Sequence, residues 1–253
     1  MQSKAKKLRE LCEQALAIDG DCDFGKSSYI SQTGDNKRGL ASIENPKFFK
    51  IPSDKKVFGI GTYKWASDSF ILFQIEWSEK DKRDRALYLS AIQLEAIRDK
   101  FKLTKLGYKN VYRVVGVETD PGMRIKGYGY LLYTMLLTEY GMNILGDFEQ
   151  YTGARRLWKK LSETDGIQVD IVNIASCSKE FENIELDSIS DSRVWLSQLR
   201  YEDLNNKPKG AKSKEELKEI KVANNLRLIS KNVGYKMDIE YLPDSFINTL
   251  RLG

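Results

Sequence analysis

Arg124-Ile-Lys-Gly-Tyr-Gly129 is the stretch that decides how this chain is read. Before it runs Val111-Tyr-Arg-Val-Val-Gly-Val-Glu118, rich in β-branched and aromatic residues, and then Asp120-Pro121-Gly122, which ends a strand. After it, Leu131, Leu132, Met135 and Leu136 recur at the i, i+1, i+4, i+5 spacing of a buried helix face, predicting a helix from Tyr128 or Gly129. Gly127 and Gly129 therefore stand between a strand end and a helix start. Without Cβ atoms they let backbone come close to a ligand, and the first N–H groups of the helix have no partner within it. Those donors and the positive helix end suit a phosphate or pyrophosphate. The dinucleotide fingerprint is excluded, because Leu132 stands where its third glycine belongs. No Gly-Lys-Ser/Thr follows to make it a P-loop.

Further along, Asn143-Ile-Leu-Gly-Asp147 predicts a short strand, and Ala154-Arg-Arg-Leu-Trp158-Lys-Lys-Leu161 a helix that buries Ala154, Leu157, Trp158 and Leu161. Arg155, Arg156, Lys159 and Lys160 fall on its polar face, a solvated surface that could also attract ligand phosphates. Ile167 to Ile174 alternates as a strand, and Asn225 to Ser230 predicts a closing strand of the same sheet. Ser213 and Glu216 form a capping box that opens a helix to about Val222.

Upstream, Lys4 to Ile18 predicts an amphipathic helix, and Gly20 to Arg38 a polar loop, Gly25-Lys26-Ser27 included. Val57 to Trp65 and Phe70 to Trp77 predict an antiparallel hairpin. A charged segment, Glu79 to Arg85, and a helix from Leu87 to Phe101 are expected next. Lys102, Lys105 and Lys109 with Tyr108 and Tyr112 read as a solvated turn in preference to a basic–aromatic nucleic-acid patch. Nucleic acid is therefore a partner that is allowed but not favoured.

Strand, glycine turn, helix, strand and helix in this order, with R-x-x-G-x-G in the turn and Pro121-Gly-Met-Arg124 as a P-x-x-R approach, resemble the GNAT superfamily of N-acetyltransferases. The resemblance implies an α/β protein of α+β type: a mixed, mostly antiparallel, acetyltransferase-like sheet with helices on both faces. It implies a core over residues 57–200 with an insertion at 79–110, an N-terminal helix and loop region over 1–56 packed on that core, and a C-terminal extension over 201–253 that closes the same domain. The implied activity is direct transfer of an acyl group from acetyl-CoA, a co-substrate, to an amine acceptor that the sequence does not name. Coenzyme would be held by Val117, Arg124, Ile125, Lys126, Gly127, Tyr128, Gly129 and Trp158. In the family the strand before the loop splays from its neighbour and offers N–H groups to the thioester, the role implied for Val117. Glu118 is the implied base.

One departure concerns the acid. The family pattern A-x-x-L-Y places a tyrosine where this chain has Trp158, whose indole N–H does not ionise, and Tyr151 is the substitute expected. The alternative is a catalytically inactive interaction or structural protein of the same fold, of the divergent kind found in phages.

Composition narrows the chemistry. The 253 residues, 41% apolar and 11% aromatic, are ample for a packed core, and 41 Lys+Arg against 36 Asp+Glu give only +5. That charge does not call for a polyanion partner. There is no histidine, which removes imidazole bases, Ser-His-Asp and Cys-His catalysis and His-bound zinc. The three cysteines, Cys12, Cys22 and Cys177, have no metal spacing, and no metal is expected. One must stay unpaired, which fits a reduced, cytoplasmic compartment. Neither a signal peptide nor a membrane span is expected, since the longest apolar run, Tyr128 to Leu137, is interrupted by Gly129 and Thr134.

Overall fold

A computed structural model describes residues 43–64, 66–80, 82–97, 103–119, 126–147, 152–187 and 225–251. The expected helices at Lys4–Ile18 and Ser213–Val222, the loop 20–38, Arg124, Ile125 and Tyr151 lie outside these residues. The protein is a mixed α/β structure built mostly from antiparallel strands. It divides into two compact units, one from Met1–Gln93, Gly116–Leu132 and Ile239–Gly253, the other from Leu94–Val115 and Tyr133–Asp238.

The first unit holds β1 (Ile43–Ile51), β2 (Asp54–Tyr63), β3 (Ala66–Ser78), most of β4 (Arg83–Ala96) and β10 (Glu240–Tyr241), hydrogen-bonded in the order β10-β1-β2-β3-β4 with every pairing antiparallel. The predicted hairpin is β2 and β3. Its cross-strand pairs explain the glycine of β2: Gly59 lies opposite both Phe48 and Phe73, whose rings meet edge to face at 5.9 Å. A Cβ at Gly59 would come within 2.3 Å of the Phe73 ring, so only glycine lets the two aromatics close over the strand. On that face Phe48 and Phe73 join Ile43, Ile71 and Tyr88, with Phe246 and Leu250 of the C-terminal 3-10 turn packed against them. On the other face Phe49 stacks on Phe58, and Phe58 meets Tyr128 at 6.1 Å.

The structure corrects one expectation here: Leu87 to Ala96, expected as the start of a helix, is strand. β4 pairs antiparallel with β3 from Ser78↔Arg83 to Ser69↔Gln93. Ala86 and Tyr88 to Ile92 are all buried, so the strand is covered on both faces and shows no clean period of two. A short apolar run of that kind reads equally as helix or strand.

The second unit holds the start of β5 (Val111–Thr119), most of helix α1 (Tyr128–Thr138), β6 (Asn143–Leu145), α2 (Thr152–Ser162), β7 (Ile167–Asn173), β8 (Ser178–Phe181) and β9 (Leu226–Asn232). Its strand order is β5-β6-β9-β7-β8, parallel between β5 and β6 and antiparallel elsewhere. Each of β5, α1, β6, α2, β7 and β9 lies where the sequence places it. Helix α1 is buried from Leu132 through Leu137, apolar all round, which is the mark of a central helix. Helix α2 is amphipathic as expected, with one correction: Arg155 is buried rather than on the solvated face. No helix among the described residues is long and apolar enough to cross a membrane.

Candidate functional site

In the first unit, β5 ends at Thr119 and helix α1 opens after Lys126 and Gly127. Gly127 has φ +78, a left-handed conformation that glycine adopts without strain, and its carbonyl accepts the first helical bond, from the N–H of Leu131 at 3.0 Å. Among the described residues, a Cβ at Gly127 would meet nothing within 4 Å. Lys126 is exposed and Gly129 half-buried. Tyr128 is different: it is 7% exposed and its ring packs on Phe58, so only its backbone N–H is left to face a ligand.

Val117 and Glu118 are half-buried at the end of β5. The Glu118 carbonyl accepts the Ser90 hydroxyl at 2.8 Å and the Tyr88 hydroxyl at 3.3 Å. In the second unit, among the described residues, β5 pairs in parallel with β6 through Val111↔Asn143, Tyr112↔Ile144 and Arg113↔Leu145. Beyond Arg113 it runs on to Thr119 with no described β6 partner.

In the second unit, Trp158 is 1% exposed and meets Tyr133 edge to face at 6.1 Å. Its environment is that of a packing residue. Lys159, expected on the free polar face, reaches the carbonyls of Leu186 at 2.8 Å and Asp187 at 3.3 Å and pairs with Glu163 at 2.5 Å. It ties down the segment after β8 instead of waiting for an anion.

The solvated-turn expectation at Lys102–Tyr112 is corrected at Tyr108. Tyr108 is fully buried, so it cannot stack on a base. The 3-10 turn Leu103–Leu106 and Gly107, at φ +89, aim it inward, where its hydroxyl donates to the buried Asp170. Asp170 also accepts from the Asn183 N–H at 2.6 Å and the Gln168 amide at 2.9 and 3.0 Å, with Lys179 at 3.7 Å. Lys179 and Lys231 lie over the Tyr108 ring at 5.6 and 5.4 Å from its centroid. Sequence reasoning missed this cluster, and it is structural: a buried carboxylate fully supplied with donors.

No protein-family model, curated protein or solved structure matches this chain in comparison. Within the loop expected at Gly20 to Arg38, Gly20-Asp-Cys-Asp-Phe-Gly-Lys-Ser27 carries the G-x-x-x-x-G-K-S spacing of a phosphate loop. It lies outside the described residues, and the pattern before it, Lys4 to Ile18, reads as a helix rather than the strand such a loop follows. Among the described residues no group of His, Cys, Asp and Glu is placed to hold a metal.

Two buried phenols, Tyr108 and Tyr133, and the half-buried Tyr140 give the second unit a pH signature. Burial, the bond to Asp170 and nearby carboxylates push Tyr108 up; burial and Asp147 push Tyr133 up; burial and Glu139 push Tyr140 up to about 12. Folded, all three keep their protons where the unfolded chain begins to lose them, near pH 10. Their contribution is thus whole below about pH 10 and is lost as pH rises beyond it. Tyr133 alone should steepen the decline by about 1.4 kcal/mol per pH unit above that point. Urea midpoints measured from pH 8 to 11.5 should show this, and Tyr133→Phe should flatten the alkaline limb.

Proposed function

We infer that the chain is an acyl-CoA-dependent N-acyltransferase of acetyltransferase type, with helices on both faces of its sheet and a primary or secondary amine as acceptor. The observation that carries this reading is the course of β5: it outruns its parallel ladder with β6 and leads to a glycine turn, at Gly127, that starts helix α1. The end of β5, past its ladder with β6, supplies the Val117 N–H for the thioester carbonyl. The first amides of α1, at Tyr128 and Gly129, with Lys126 and Arg124, supply donors and charge for the pyrophosphate.

The chemistry asks little of the protein beyond placement. The acceptor nitrogen attacks the thioester carbon while Glu118 takes the amine proton. The C–N bond forms, the oxyanion rests on β5 amides, and the C–S bond then breaks. The leaving thiolate takes its proton from water, since Trp158 is buried packing and cannot supply one. Glu118→Gln should lower thiol release from acetyl-CoA by roughly a hundredfold, within the usual range for a lost general base, and leave desulfo-CoA affinity unchanged. Unaltered turnover would remove Glu118 from the mechanism.

The packing role of Trp158 favours a second reading, a non-catalytic binding module of the same fold. It predicts coenzyme binding with no thiol release under any amine.

A further inference from the structure

We propose that Ser90, assisted by Tyr88, is a positioning residue for the acyl-transfer strand, fixing the end of β5 at Val117 and Glu118 through the Glu118 carbonyl. The proposal rests on the acyltransferase reading for its consequence, but its geometry stands alone. β4 carries a bulge: Leu72 of β3 pairs with Ser90, while the next residue, Phe73, pairs with Tyr88, leaving Leu89 as the extra residue. A bulge re-aims side chains, and two residues of β4 here converge on one carbonyl. The Ser90 hydroxyl donates to the Glu118 oxygen at 2.8 Å and the Tyr88 hydroxyl at 3.3 Å. Ser90 lies 3.0 Å from the Thr119 hydroxyl, which must donate to it if Ser90 donates to Glu118. On the donor side Ser90 is fully buried and Tyr88 is 8% exposed, while Glu118 and Thr119 are half-buried.

A strand carbonyl that takes two side-chain hydroxyls is held in direction as well as in place. That matters at this residue. The Cα of Glu118 sets where its carboxylate reaches, and its peptide plane sets where the N–H groups of β5 point. A shift of an ångström at either is enough to lose an aligned attack. Ser90→Ala removes one donor to Glu118 and the acceptor of Thr119. Ser90→Cys keeps the volume while exchanging the hydroxyl for a weak donor, which separates the hydrogen bond from packing. Ser90→Thr keeps the hydroxyl.

The test has two arms on the full chain. Amide hydrogen exchange should quicken at least tenfold over residues 114–119 in Ser90→Ala and Ser90→Cys, and stay unchanged over β2 and β3, with Tyr88→Phe giving a smaller rise. Hydrolysis of acetyl-CoA, in which water replaces the amine, should show kcat down about tenfold with KM unchanged, and recovery in Ser90→Thr. Unchanged exchange at 114–119 in both variants would overturn the proposal, as would a rate loss that Ser90→Thr shares or that appears in KM alone. Desulfo-CoA titration of the unmutated protein separates the two ideas: no binding rejects the acyltransferase reading, while the exchange arm still decides whether Ser90 pins the strand.

Discussion

Asp170→Ala is expected to destabilise the second unit by about 3–5 kcal/mol, the cost of removing one partner from a buried charged network. Asp170 is wholly buried on β7 and is held by Tyr108, Gln168, Asn183 and Lys179. Alanine would leave the buried Tyr108 hydroxyl without its acceptor, a cost of about 1–3 kcal/mol, while the N–H of the exposed Asn183 and the Lys179 ammonium lose their carboxylate partner. Tyr108→Phe removes one donor and leaves the carboxylate its other three, so it should cost only about 1–3 kcal/mol. Together the two changes should cost less than the sum of the two alone, because they remove one shared bond. Urea denaturation with fluorescence and circular dichroism measures all three values. A cost under 1 kcal/mol for Asp170→Ala would mean that water reaches the cluster.

Gly166→Ala should be nearly as severe. Gly166 has φ +77 and lies in the turn that leads into β7, and its carbonyl accepts the N–H groups of Val233 and Tyr235 at 2.9 and 3.0 Å. This clasp closes the β7–β9 ladder at Ile167↔Asn232. A Cβ there would stand 2.3 Å from the Tyr235 nitrogen and 2.7 Å from its Cα, atoms of backbone that no rotamer change can move. The left-handed backbone adds about 1–2 kcal/mol for a residue with a Cβ, and overpacking about 1–3 more. The loss of about 3 kcal/mol should appear as a lower urea midpoint. Gly127→Ala makes the control: its φ is similar at +78, but a Cβ there meets no described residue within 4 Å, so the backbone cost is the one expected.

Legibility in the sequence followed local pattern. Helix α2 shows a clear period, α1 a long apolar run, and β5, β7 and β9 short apolar or β-branched runs, and all are where the sequence puts them. β4 failed because burial on both faces erased its alternation. β1 was unmarked because Pro46 interrupts it; the register shift between Glu44 and Lys47, with Asn45 at φ 49, absorbs the proline within the strand. Tyr108 was misplaced because nothing local pairs it: Asp170 is 62 residues away. Arg155 and Lys159 were read as a solvated face from helical phase alone, which cannot foresee that residues after β8 fold back to meet Lys159. Around the candidate site the turn and strand end were legible because glycine spacing is local. The hydroxyl clamp from β4 was not, because Ser90 and Glu118 are 28 residues apart and joined by a bulge.

Calorimetric titration of the purified chain with desulfo-CoA, alongside its Gly129→Glu variant, tests the central claim most directly. The glycine turn predicts micromolar binding to the unmutated chain and none to the variant, whose carboxylate would crowd and repel the pyrophosphate at the helix start, with the same urea midpoint for both. Absence of binding at millimolar desulfo-CoA, or equal binding by the variant, would contradict the coenzyme site. A Mg-ATP titration in parallel would then show whether Gly20–Ser27 binds the phosphate instead.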